Sequence, residues 1–259
     1  MKFLNQRSHY LSMFALFAIA CSSLGGSGAG DTLVQLKVSS DPSSTTIGNA
    51  LTVANVEYTV AKVVVSEIEF ELAQNCELEN EEAGELNYEG PFVVNLLNQK
   101  AIPSFDEIKL TDQKYCKFKF KLDQLESDEI PSGVSSSDPI VDLSVYIEGI
   151  YNSATPFIVK LDRNEEFELD SETSAGFSLT SGKLNTVFLV FDLSKLFEGI
   201  DLSTLTQDAG VIYIDKDNND DAFDTLKDNL KAFSKLQKDS NEDDSLDDND
   251  DVIANGVVN

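Results

Sequence analysis

Residues 57–72 read EYTVAKVVVSEIEFEL, and the last six, Glu67-Ile68-Glu69-Phe70-Glu71-Leu72, alternate acid and hydrophobe without a break. Successive side chains of a strand point to opposite faces, so this run puts three carboxylates on one face and Ile68, Phe70 and Leu72 on the other. Residues 117–122, KFKFKL, repeat the pattern with lysines. Antiparallel pairing of the two runs sets three Glu against three Lys on the solvent side, each exposed pair contributing roughly 0.2–1 kcal/mol. Cys76 and Cys116 keep the parity of the apolar face. The same pairing therefore predicts them at one end of the sheet, joined as a disulfide if the strands are neighbours and left as two buried thiols if they are not. An oxidising compartment permits the bridge.

Short runs of the same kind recur at 33–38, 92–96, 141–150, 157–161, 166–169, 185–192 and 211–214, separated by Gly, Pro, Asn, Asp and Ser. Many strands at this spacing, with a helical period only near the end, predict an all-β fold with one C-terminal helix, an antiparallel β-sandwich of Greek-key type. The polar stretch 126–139, ESDEIPSGVSSSDP, reads as a long loop inside one domain, because neither half alone would bury a comfortable core. The helix is expected over 220–238, where Phe223, Leu226, Leu230, Phe233 and Leu236 form one apolar stripe. Asp220, Asp221 and Asp224 at its start and Lys231, Lys235 and Lys238 at its end complement the helix dipole.

The 259 residues hold 19 Lys and Arg against 46 Asp and Glu, a formal charge of −27. Such a surface repels nucleic acid and anionic headgroups, which need Lys/Arg clusters to release counterions. The single histidine, His9, lies in the first twenty residues. If those are removed on maturation, histidine-dependent triads, general bases and zinc sites are excluded. Thr180-Ser181-Gly182-Lys183 lacks the Gly-x4-Gly-Lys spacing of a phosphate loop and reads as a turn. Paired carboxylates for glycoside hydrolysis carry little information in a chain this acidic. The expectation is therefore a binding or structural module and not an enzyme, with a carboxylate-dependent hydrolase of envelope glycans as the alternative.

The N-terminus places the protein. Lys2 and Arg7 precede an apolar run from Tyr10 to Ala20, and Ala18-Ile19-Ala20 stands before Cys21. About 11 apolar residues fall short of the ~20 that span a bilayer. The junction resembles a bacterial lipoprotein lipobox, with Ala18 where leucine is usual. That resemblance implies a diacylglycerol on Cys21, whereas ordinary cleavage after Ala20 would leave a free secreted chain. Residues 22–30, SSLGGSGAG, read as a flexible tether reaching roughly 15–18 Å. Ser22 resembles the signal for export to the outer membrane, so the membrane is the expected partner through the lipid, alongside an unnamed protein or glycan ligand. The expected organisation is a signal peptide over 1–20, lipidated Cys21 and tether over 21–31, the sandwich over 32–214, an acidic loop and helix over 215–238, and an acidic tail over 239–259.

Two acidic stretches flank the expected helix and suggest calcium. Asp215, Asp217, Asn219 and Asp221 alternate at positions 1, 3, 5 and 7 of an EF-hand-like loop. Asp239, Asn241, Asp243, Ser245 and Asp247 take positions 1, 3, 5, 7 and 9 of a second, Leu246 the apolar position 8, and Asp250 position 12. This second stretch resembles dockerin-type loops, which end in aspartate. Asp220 and Asp244 stand where such loops carry the turn glycine, and Leu226 stands where the first would end in an acid. The alternatives are that Asn218 or Asn219 caps the helix and that 239–251 is a disordered acidic tail.

The order LVQLKVSSDPSS, KVVVSEIEFEL, FVVNLLNQKAIP, KLTDQKYCKFKFKL, ATPFIVKLDRNEEFEL and NTVFLVFDLSKLF, covering roughly residues 32–197, is similar to an uncharacterised bacterial lipoprotein domain family. Asn95 replaces that family's aspartate before Leu96-Leu97, and Gln113-Lys114 replaces its Gly-Thr-type turn before Tyr115. The resemblance implies an extracytoplasmic β-sandwich and brings no established activity.

Overall fold

The computed structural model describes residues 32–40, 45–47, 50–72, 76, 85–105, 108–247 and 249–257. Cys21, the expected signal and the tether lie outside the described residues. In chain order the strands are β1 (Thr32–Ser40), β2 (Thr45–Ile47), β3 (Ala50–Val53), β4 (Val56–Leu72), β5 (Glu85–Asn95), β6 (Lys100–Ile102), β7 (Ile108–Leu110), β8 (Lys114–Leu122) and β9 (Val145–Tyr151). They continue as β10 (Thr155–Leu161), β11 (Glu165–Ser171), β12 (Phe177–Ser178), β13 (Leu184–Phe191), β14 (Gln207–Asp208) and β15 (Val211–Ile214). The helix α1 (Asp220–Ala232) follows, then β16 (Ser234–Lys238) and β17 (Asp251–Gly256).

β4 is the spine of this β-sandwich. On one side it pairs with β5. On the other its first half pairs with β9 and its second half with β8, and a register shift falls between Val65 and Glu67. One extra residue at Ser66 flips the alternation, so Val63 and Val65 before it and Ile68 and Phe70 after it all enter the same core. The Ser66 hydroxyl donates to Asp123 at 2.6 Å. Beyond β8 the sheet runs through β11, β17, β16, β13 and β1 to β7, and beyond β5 it ends at β6. Most pairings are antiparallel, but β1–β13 and β10–β15 are parallel, so the sandwich is mixed.

The core is aromatic. Phe120 stacks on Phe167 at 4.8 Å and meets Phe191 edge-on, and Phe70 meets Phe118 edge-on at 5.0 Å. The stretch over 126–139 is a loop, as its composition suggests, and it is not idle. It folds back so that Ile130 and Val134 cover Val64, Val93, Leu125, Ile140 and Tyr146 on the outer side of the sheet.

Three expectations are corrected. The helix stops at Ala232, with Phe233 as its C-cap, and the expected last turns are β16. The edge of β13 is open there, and Leu236 pairs with Leu189 in a fully buried position. The sheet also extends past Ile214, because β17 lies between β16 and β11. The expected strand over 141–150 begins only at Val145, since Val141, Asp142 and Leu143 are held in turns by bonds to Asp138, Leu125 and Ile140.

Candidate functional site

The β16–β17 connection is built by the hairpin it closes. Lys238 pairs with Asp251, which brings Asp239 and Asp250, the first and last residues of the expected calcium loop, side by side. Both are buried, at 5% and 8% exposure. Asp239 accepts from the backbone N–H groups of Asp243 (3.3 Å) and Asp244 (2.8 Å). Asp250 accepts from Ser240 N–H (3.2 Å) and Asp247 N–H (3.0 Å). Asp243 accepts from the backbone and hydroxyl of Ser245 at 2.9 and 2.6 Å. The Asn241 amide donates to Asp243 and Asp247 at 3.1 and 3.2 Å. Asp244 takes φ +66°, the left-handed conformation that glycine supplies in calcium loops, and Glu242 takes +58°.

Charge in this loop is crowded. Burial raises the Asp250 carboxyl above its usual value, the backbone bonds to Asp247 and Ser240 oppose the rise, and the neighbouring charges of Asp239 and Asp247 add to it. Asp243, held by the Ser245 hydroxyl and N–H, is lowered. Two residues before Asp239 on β16, Gln237 is 4% exposed and its Oε1 has no hydrogen-bond partner. Among the described residues, no three His, Cys, Asp or Glu side chains converge into a preformed metal-holding group. The loop is closed by bonds between carboxylates and its own backbone.

The first acidic stretch does not form a loop of that kind. Asp215 and Asn218 close a tight turn, with Asp217 N–H and the Asn218 amide both donating to Asp215. Asn219 is turned away: its amide donates to Thr206 O and Tyr213 O, and its oxygen accepts from Thr206 N–H. It stands at the N-cap position of α1, yet its side chain makes no capping bond. Asp221 lies inside the first turn of α1, where the charge suits the dipole. Asp215, Asp217, Asn219 and Asp221 are therefore a turn, a bridge to the 206 loop and a helix start.

Cys76 and Cys116 are joined as a disulfide with Cα atoms 5.2 Å apart. The paired strands beside it carry a charge ladder. Lys121, Lys119 and Lys117 of β8 face Glu67, Glu69 and Glu71 on β4, and Glu166, Glu168 and Asp170 on β11. Contacts run from Lys121 to Glu67 (2.5 Å), Lys119 to Glu71 (3.1 Å) and Glu69 (3.3 Å), and Lys117 to Glu168 (2.7 Å). Burial works against the Lys119 ammonium, but the bond to Glu71 and the charges of Glu69 and Glu71 outweigh it and hold its pKa well above the usual value. The second acidic flank, on β11, had no counterpart in the sequence reading. Its signal was available in Glu166, Glu168 and Asp170, which alternate with Phe167 and Leu169.

No protein-family model matches this chain, and no curated protein matches it. Among solved structures it is similar to MbnP from Methylosinus trichosporium, at 15% identity over 73% of this chain and 85% of that one, with a TM-score of 0.38.

Proposed function

We propose that this protein is a lipid-anchored binding module of the bacterial envelope, tethered through Cys21 and carrying a weak calcium site in the β16–β17 loop. The observation that carries the calcium reading is the loop itself. Side-chain oxygens at positions 1, 5, 9 and 12 turn inward onto the backbone, position 6 is left-handed, and Asp239 and Asp250 are buried together. Each ionised carboxylate offers about four lone-pair sites, so the backbone bonds leave acceptor capacity for a hard cation. The rise at Asp250 is the cost that a cation would relieve.

Affinity in the extracellular range of ~10⁻⁴ to 10⁻³ M is expected. At ~5 mM calcium and a Kd of ~0.5 mM, binding stabilises the fold by about 1.4 kcal/mol, roughly 3–6 °C in Tm for a domain of this size. Calorimetry and melts with calcium against chelator test it, with Asp239→Asn abolishing the shift. A folded protein giving neither heat nor a shift at several millimolar calcium would sink the site. The anchor is tested separately: intact mass should exceed the polypeptide by a diacylglycerol, and Cys21→Ser should release the chain from membranes.

A further inference from the structure

β1 starts at Thr32, 11 residues after Cys21. Fully extended, that length of chain reaches at most about 40 Å, while β1 itself spans about 30 Å at ~3.3 Å per residue. With a lipid on Cys21, the end of the sheet where β1 starts is therefore the end held next to the membrane. Leu33 pairs there with Lys109 of β7 and with Leu184 of β13. Val34 and Leu36 on β1, and Val187 and Leu189 on β13, enter the core, so strand alternation turns Leu33 and Leu184 to the outer face, side by side. Leu184 is 49% exposed, the only large hydrophobic side chain so exposed among the described residues.

The turn that presents Leu184 is held from within. Asn185 is buried. Its oxygen accepts from Thr180 N–H at 2.8 Å, and its amide donates to Thr180 O (3.0 Å), Lys183 O (3.2 Å) and Leu33 O (3.2 Å). One side chain thus closes the turn and ties it to β1. Ser181, Gly182 and Lys183 project into solvent. Beside them lies a cavity of about 580 Å³ whose wall includes Lys183, Leu184, Lys238, Glu242 and Asp251. Lys183 and Glu242 pair at 3.0 Å with side chains 59% and 71% exposed, a contact weak enough to exchange for other ions. Ammonium and carboxylate groups side by side next to an exposed leucine match a zwitterionic headgroup, its phosphate on the lysines and its ammonium on the acids.

We propose that the 180–184 turn docks on the zwitterionic headgroups of the membrane that holds Cys21, with Leu184 entering the acyl boundary and Leu33 beside it. Docking of this kind rests on the lipid-anchor reading and needs no calcium. Burying the exposed part of Leu184 favours the docked state by only about 3- to 10-fold, too little to hold a free protein on a bilayer. The short tether supplies the rest, because it makes docking an intramolecular step at high effective concentration. The docked orientation turns the other end of the sheet outward, where Tyr151 pairs with Val56 and Tyr58 donates to Leu193 O.

The chain contains no tryptophan, so a single introduced one reports on its own site. The test uses the full-length lipidated protein in phosphatidylcholine vesicles, in chelator, with brominated phosphatidylcholine as the quencher. Ser181→Trp should shift to the blue and be quenched, whereas Ala154→Trp, in the β9–β10 turn at the far end, should stay unquenched. Adding Leu184→Asp to Ser181→Trp should lower the ratio of docked to undocked protein by about 3- to 10-fold at unchanged Tm. Co-sedimenting protein in which Ser181→Trp is quenched no more than Ala154→Trp, or quenching that Leu184→Asp leaves unchanged, would overturn docking while the anchor stands. A chain that does not co-sediment with the vesicles would overturn both.

Discussion

Reducing the Cys76–Cys116 bridge is the perturbation whose size follows most directly from the structure. The bridge closes a loop of sequence separation 40. In the chain-entropy description, loop closure at that length restricts the unfolded ensemble by about 13 cal/mol/K, or about 4 kcal/mol at 25 °C. Residual structure in the reduced, unfolded chain lowers the observed value, so about 2–4 kcal/mol is expected. For a domain of this size each kcal/mol moves Tm by roughly 2–4 °C, which places the loss at roughly 4–16 °C. Melts of the oxidised and reduced protein, with Cys76→Ser/Cys116→Ser as a non-reducible comparison, measure it. The reduced protein and the double variant should agree, because Cys116 is already held in β8 by its neighbours' pairing. A drop below about 2 °C with both thiols shown to be free would refute the reasoning, since it would mean that the unfolded chain holds these ends together without the bond.

Gly176→Ala should destabilise more than Gly182→Ala. Both glycines have φ near +75°, but a Cβ at Gly176 falls 2.8 Å from Tyr115 O and 2.9 Å from Cys76 Sγ, whereas Gly182 has nothing within 4 Å. Urea denaturation should give about 1–2 kcal/mol for the left-handed backbone at Gly182 and more at Gly176. Lys119→Met should cost about 1–2 kcal/mol, since two partly buried contacts are lost and Glu69 and Glu71 lose the ammonium they share; Lys183→Met, whose pair with Glu242 is exposed, should cost under ~1 kcal/mol. Burial raises Asp170 and Asp250 above the usual 3.8, so the fold favours their neutral forms. That contribution is fully present below the unfolded value and is lost as pH rises through the folded one. In chelator, acidifying toward that unfolded value should therefore favour the fold at these two groups, and Asp170→Asn should flatten that slope.

The part of the fold that was legible is the part with a local code. The alternation of Glu67, Glu69 and Glu71 and of Lys117, Lys119 and Lys121 gives parity, and opposite charge gives the partner, so even the register matches the sequence reading. Cys76 and Cys116 followed from the same parity. β1 and β13 carried no such code. Their pairing is parallel, sets Leu33 against Leu184, and joins two apolar runs that fit many partners. β16 was hidden for another reason: Leu230, Phe233 and Leu236 satisfy a helical period, while Ser234, Leu236 and Lys238 equally satisfy a strand. The open edge of β13, a tertiary fact, decides between them. At the candidate site, oxygen-bearing residues at alternate positions occurred in both acidic stretches. Only at 239–250 does a hairpin bring the two ends together, and in the other stretch α1 begins before a loop can close.

Lys37 ties β1 to the β16–β17 loop. Its ammonium contacts Asp244 Oδ1 at 2.5 Å, donates to Asp244 O at 3.1 Å and lies 5.8 Å from the centre of the Phe188 ring. Asp244 is the left-handed residue whose N–H holds Asp239. The Asp244 side chain is 62% exposed, and an exposed ion pair contributes at most about 1 kcal/mol. Loss of this contact can therefore shift the loop's affinity for calcium by no more than about fivefold. The sign follows from charge: Lys37→Met removes the cation beside Asp244 and leaves the loop more negative, which favours a bound cation there.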